Sequence, residues 1–405
     1  MAVAEYSRAE AANRSGVDLT YIDRLIELGI ISPNSGDRLT KGDVRRIQMV
    51  QTLQSAGISL ENLAASITSG HGDLRFMDAS PYERFATLSD ETFDELSRRT
   101  GIPLNLLILI REATGGATPT QDDRVREDEL AVVPFIEIEI AMGFQPLSIE
   151  RTLRVLGDSL RRVAATQSDA WWSDLMEPML ARGATVIELG ATSFSPETLT
   201  LSKAQDEAVL AIWHAQQAQS WTANIIGGFE KTLTDAGLMM TVPRPPAICF
   251  LDITGYTRLT LEHGDEAAAD LAERLSRLVS RSALDHGGRA VKWLGDGVML
   301  YFRDPGPGVS AALEMVKGVS SAGLPPAHVG LHAGPVLFQQ GDYFGRTVNL
   351  ASRIAEYARP GEVLVSQEVV DASAGVEVTF TEIGAVELKG ISGTVRLHTA
   401  HHANR

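Results

Sequence analysis

Two aspartates stand where a chain can assemble a site for hard cations. Asp252 closes the apolar run AICFLD and is followed by Thr254 and Gly255. Asp296 lies in the turn Gly295-Asp296-Gly297, between the apolar segments RAVKWL and VMLYF. Carboxylates at strand ends beside glycines can meet at one edge of a sheet. There they hold ions such as Mg2+, which take oxygen ligands and phosphate oxygens. Two such ions activate an attacking oxygen and stabilise a departing pyrophosphate. Taken singly, Asp-Gly and Gly-Asp-Gly are ordinary turns, so the reading depends on what accompanies them.

The elements that must position these residues follow from periodicity. AICFLDI reads as a buried strand. A helix is expected over 266–284, then the turn DHGG, then the strand–turn–strand RAVKWLGDGVMLYF. A helix at 309–319, a strand at 327–333, a helix at 346–358 and strands near 362–366, 376–381 and 394–399 complete the alternation. This order argues for an α/β domain with helices packed on a sheet, over residues 243–400. The Pro-rich VPRPP at 242–246 marks its boundary. Upstream, residues 80–240 read as mostly helical, with a loop at 114–124. They end in a long helix whose apolar residues recur at three- and four-residue steps from Ala208 to Phe229. Residues 1–75 read as short helices opened by Asp18, Thr40 and Ser59.

Bulk properties narrow the classes. The 405 residues allow two or three domains. The longest apolar run, Leu106–Ile110, is far shorter than the ~20 residues of a membrane span, so no membrane partner is expected. The first residues show no export signal, and the single Cys249 excludes an intrachain disulfide and fits the cytoplasm. A formal net charge of -16 runs against a protein built mainly to grip nucleic acid.

Four segments, FLDITGYTRLT, VKWLGDGVMLYF, VGLHAGPV and GDYFGRTVNLASRI, occur in the order and spacing of the class III nucleotidyl cyclases, which the C-terminal region resembles. The resemblance implies a ferredoxin-like α/β core. It also implies a homodimer with the active site at its interface, and two Mg2+ or Mn2+ ions per site. By position, Asp252, Asp296 and the carbonyl of Ile253 match the metal ligands, and Lys292 and Asp342 match the pair that reads adenine. Lys offers a donor to the ring nitrogen and Asp an acceptor to the exocyclic amine, which favours ATP over GTP. Asn349 and Arg353 match the catalytic pair that orients the ribose and stabilises charge on the α-phosphate. Four apart on a helix, they share a face.

The sequence departs from the pattern at three places. The segment PVLFQQG is short, as in a bacterial subclass with an abbreviated dimerisation arm. Ile391 falls where a triphosphate-binding lysine is expected, and Lys389 is the candidate substitute. His328 stands where many relatives have a basic residue. A histidine facing phosphate would gain activity on protonation; a strand histidine with a local partner is the alternative.

Residues 1–75 resemble the winged helix-turn-helix of the MerR regulators, on Gly16-Val17, Leu28-Gly29-Ile30, Asp43-Val44 and Gly57-Ile58-Ser59-Leu60. DNA is the partner this implies, but residues 1–70 carry 7 basic and 8 acidic side chains, and Asp23 falls where an arginine often faces DNA. A recruited dimerisation or regulatory module is the favoured reading. Residues 80–240 resemble the helical regulatory segments that precede actinobacterial-type cyclases, and Trp171, Trp172, Trp213 and Trp221 are candidates to line a pocket for a small apolar ligand. The chain is thus expected to be multidomain: a mostly α N-terminal two-thirds and a C-terminal cyclase domain making cyclic AMP. The competing expectation is a DNA-binding regulator whose cyclase-like domain only senses a nucleotide.

Overall fold

The computed structural model describes residues 5–239 and 245–403. The chain divides into two compact units, Met1–Gly228 and Phe229–Arg405.

The first unit is helical. Ser7, Asp18, Thr40 and Ser59 each accept a backbone N–H from the first turn of the helix they precede, Arg8–Ser15, Leu19–Glu27, Lys41–Ser55 and Leu60–Thr68. These caps satisfy amides that would otherwise lack partners, and they fix where each helix starts. Ile22, Leu25, Val44, Ile47 and Val50 form one small core, and Glu5–Tyr6 pairs with Leu39–Thr40 beside it. A second core joins Phe93, Leu106, Ile110, Ile136 and Ile149 from the next helices. The long helix Pro196–Asp235 has no buried side chain, and Trp213 and Trp221 on it are exposed. Trp171 instead borders a cavity of about 290 Å3 with Tyr82, Arg84 and Leu201.

The second unit runs β1 (Ala247–Ile253), α1 (Tyr256–Asp285), β2 (Gly288–Leu294), β3 (Gly297–Phe302), α2 (Pro305–Ser321) and β4 (Ala327–Ala333). It continues β5 (Leu337–Gln339), β6 (Asp342–Phe344), α3 (Arg346–Tyr357), β7 (Val363–Ser366), α4 (Gln367–Ala372), β8 (Val378–Glu387) and β9 (Thr394–His402). Among the described residues, seven strands form one sheet in the order β8-β9-β7-β4-β1-β3-β2. Only β4 and β7 are parallel, joined by the crossover that contains α3. β5 and β6 form a separate hairpin, closed by a two-residue turn in which Gln340 and Gly341 both have positive φ.

Alternation along the strands sorts side chains into two layers. Cys249, Leu251, Val298, Leu300, Val329 and Leu331 face α1 and α2, where Leu275, Val279, Val309, Ala312 and Val316 complete a dry core. Ile248, Phe250, Met299 and Tyr301 face the other way, toward α3 and the hairpin, with Ala351 and Tyr343. Gly330 explains how closely α3 lies on the sheet, since a Cβ there would stand 2.1 Å from the backbone nitrogen of Ala355.

Three boundaries differ from the periodicity. The helix expected from 266 begins at Tyr256, with the break at Gly264 (φ 85°, ψ 172°) dividing it. β8 and β9 extend to Glu387 and His402, because their nine paired positions include polar residues that an apolar pattern passes over. The short segment PVLFQQG carries no strand in the periodic pattern, yet Leu337–Gln339 within it pairs with Asp342–Phe344 to build the β5–β6 hairpin.

Candidate active site

β1 presents Asp252 on the same face as Ile248 and Phe250, toward α3. Its partner across the ladder is Gly297, where a Cβ would come within 3.0 Å of the Asp252 carboxylate. The glycine therefore leaves room for that carboxylate. Asp296 sits one residue earlier, in the turn that Gly295 makes with φ 71°. Burial, and then the charge of Asp296, push the Asp252 carboxyl above its ordinary range, against the opposing pull of His328 and the Ile253 amide. Two carboxylates that repel across a half-buried edge, beside the main-chain carbonyl of Ile253, form an all-oxygen donor set that fits a hard divalent cation. His328 has local partners, with Nδ1 3.3 Å from the Thr254 hydroxyl and Nε2 3.7 Å from Asp252.

Lys292 and Asp342 meet directly. Nζ of Lys292 donates to Oδ2 of Asp342 at 2.5 Å, while Oδ1 accepts from the Tyr343 amide at 2.7 Å. Lys292 comes from β2 and Asp342 from the hairpin, so the pair spans two separate sheets. The β2–β3 register slips between Ala290 and Lys292, a bulge that turns Lys292 to the face occupied by Met299 and the hairpin. Asn349 and Arg353 project from α3, whose Leu350 and Ile354 are buried. Arg353 Nη1 donates to both carboxylate oxygens of Glu356 at 2.6 Å. Lys389 is exposed in the turn after β8; Leu388 and Ile391 on either side pack with Leu350 and Ile354 of α3.

The structure thus brings Asp252 together with Asp296, and Lys292 with Asp342, and it sets Asn349 and Arg353 on one helix. The sequence reading missed Arg289, Tyr301 and Tyr343. Arg289 Nη2 donates to the Tyr343 hydroxyl at 2.6 Å, and Tyr343 stacks on Tyr301 with ring centroids 4.5 Å apart. Without the bulge and the hairpin, nothing in the sequence signals that these three residues meet.

Residues 244–402 match the family described as the adenylate and guanylate cyclase catalytic domain, and residues 37–197 match the adenylate cyclase regulatory domain. Residues 244–402 are thus a class III cyclase catalytic domain, preceded by an adenylate cyclase regulatory domain. It is similar to the pH-sensitive adenylate cyclase MT1302 of Mycobacterium tuberculosis, 29% identical over 75% of this chain and 76% of that protein. An adenylate cyclase of Streptomyces coelicolor is 28% identical over 67% of this chain and 68% of that protein. Rv2212 of Mycobacterium tuberculosis is 26% identical over 88% of this chain and 90% of that protein. The cyclase is thus an enzyme with a regulatory domain ahead of its catalytic domain. No helix among its described residues is long and apolar enough to cross a membrane.

Proposed function

We propose that this cyclase converts ATP to 3′,5′-cyclic AMP and pyrophosphate, at a site completed by two copies of the chain. The observation that carries the reading is the Lys292–Asp342 pair. An ammonium donor beside a carboxylate acceptor matches N1 and the 6-amino group of adenine, whereas guanine presents the opposite pattern. Adenine binding replaces the 2.5 Å contact between the two side chains with one contact to each.

Asp252, Asp296 and the Ile253 carbonyl would hold two Mg2+ or Mn2+ ions, which supply activation of the ribose 3′-oxygen and neutralisation of the leaving pyrophosphate. The remaining work falls to side chains. Asn349 orients the ribose so that the 3′-oxygen lies in line with the α-phosphorus. Arg353 turns from Glu356 toward the α-phosphate and stabilises the charge that grows there as the new P–O bond forms and the α–β bridge breaks. Its planar, permanently charged fork suits that task. Lys389 is the candidate for the triphosphate, from an exposed turn beside α3.

In this reading Asp252 and Asp296 come from one protomer, and Lys292, Asp342, Asn349 and Arg353 from its partner. The exposed Trp293, Leu294, Leu337, Phe338 and Phe344 support it, because a cluster of large apolar side chains beside polar site residues is what an interface between copies leaves uncovered in one chain. The N-terminal unit is the regulator. Its MerR-like segment serves as a structural module rather than a DNA reader, in keeping with Asp23, which is held by Arg8 at 2.7 Å. The cytoplasm is the compartment this supposes.

The test is purified full-length protein with ATP and Mn2+, assayed for cyclic AMP, beside the same assay with GTP. Cyclic AMP as the dominant product supports the reading. No cyclic nucleotide at high protein concentration would point instead to a nucleotide-sensing domain.

A further inference from the structure

We propose that Arg289 is a positioning residue for base recognition, holding the β5–β6 hairpin through Tyr343 so that Asp342 stays opposite Lys292. The proposal deepens the adenine reading of Lys292 and Asp342 and rests on it.

The need for such a residue follows from topology. Asp342 belongs to a two-stranded hairpin that shares no ladder with the seven-stranded sheet, whereas Lys292 belongs to that sheet. Backbone hydrogen bonds therefore do not set the distance between them. Side chains must do so: Tyr343 packs on Ile248 and Met299 of the sheet, and a polar set that bridges the two pieces is centred on Arg289. Its Nη2 donates to the Tyr343 hydroxyl at 2.6 Å, and its guanidinium lies 5.4, 5.7 and 6.0 Å from the ring centres of Tyr301, Tyr343 and Phe338. Tyr301 is on the sheet; Tyr343 and Phe338 are on the hairpin. Tyr301 and Tyr343 stack almost parallel, with an interplanar angle of 3°. Arg289 itself is exposed, so its hold on the hairpin rests on the hydrogen bond to the Tyr343 hydroxyl and on contact of its planar guanidinium with these rings. Tyr343 is only 7% exposed.

The β2 bulge makes the arrangement possible. Arg289 and Lys292 are three apart, and in a regular strand they would point to opposite faces. The extra residue between Ala290 and Lys292 returns both to one face, where Arg289 pairs with Tyr301 and Lys292 with Met299. The anchor then stands beside the pair it aligns, and Tyr343 is the immediate neighbour of Asp342. Any drift of the tyrosine moves the carboxylate directly.

A role confined to packing and a role in aligning Asp342 make different predictions for the 6-amino group. Full-length wild type, R289M, R289K and Y343F are compared with ATP and with purine riboside triphosphate, which lacks that amine. For R289M, kcat/KM for ATP falls by about tenfold or more, mainly through KM, while that for the amine-free analogue changes by less than about twofold. Y343F, which keeps the ring but removes the hydroxyl, moves in the same direction by a smaller factor. R289K, which keeps a charge but not the planar fork, recovers part of the loss. Equal losses with both nucleotides, or wild-type behaviour of R289M with ATP, would overturn the proposal. A wild type that forms no cyclic product would instead strike the functional reading. Displacement of a fluorescent ATP analogue by ATP and by the amine-free triphosphate then still decides the role of Arg289, since equal affinity of R289M and wild type for ATP overturns it.

Discussion

Asp252 is held in tension with Asp296, and that tension belongs to function rather than stability. Burial and like charge raise its carboxyl pKa, so in the metal-free protein the ionised form is resisted. Asp252→Asn should cut cyclic AMP formation by more than the roughly 100-fold that outer-shell partners cost at such sites. The melting temperature of the metal-free variant should equal or exceed that of wild type, and a lower one would contradict the assigned repulsion. A second titratable group lies away from the site. His332 is buried, with Nδ1 2.8 Å from the Ser366 hydroxyl; Glu368 at 3.6 Å favours its protonation and Arg346 opposes it. Burial dominates and lowers its pKa, so the folded state prefers the neutral ring. Stability from this residue is present above the ordinary histidine pKa and is lost as pH falls through that value toward the lower folded one. Urea midpoints measured from pH 8 to pH 5 should therefore fall more steeply for wild type than for His332→Asn. Much of the candidate site was legible at this scale, because Asp252, Asp296, Lys292, Asp342, Asn349 and Arg353 sit in three compact motifs. Arg289 was not, because its meaning depends on a residue 54 positions away.

Among the elements, α3 carries the tightest constraint. It bears Asn349 and Arg353 and lies so close to β4 that a methyl group on Gly330 would strike the backbone at Ala355. Gly330→Ala should cost about 1–3 kcal/mol in urea denaturation. It should also lower activity further than the stability loss alone accounts for, since the helix must shift outward. Unchanged stability would show that the contact can relax. Alternation in β1, β3 and β4 made these strands readable, as each interleaves a dry face with a face toward α3. The hairpin escaped the same reading because its turn is Gln340-Gly341 rather than Asn-Gly, a weak signal for a two-residue turn. The early start of α1 escaped it because Gly264 interrupts the periodic run.

For the whole molecule, a site divided between two copies predicts rescue on mixing. Asp252→Asn and Arg353→Ala should each be nearly inactive alone. Mixed and allowed to exchange, they should regain up to about a quarter of wild-type specific activity, because half the dimers are mixed and each mixed dimer holds one intact site of two. Absence of rescue under conditions where subunits exchange would place all six side chains in one chain. Specific activity should also fall on dilution of the wild type.

The sole cysteine lies at the centre of β1, fully buried, with its thiol pushed far above the ordinary range by that burial. To thiol reagents the native surface is therefore blank. A single cysteine introduced on the hairpin or on the helix Pro196–Asp235 can take a spin label or fluorophore in an otherwise native chain, so that a distance between labels would report the proposed pairing of two copies directly. Cys249 itself becomes a timer, since its labelling rate reports how often the catalytic sheet opens.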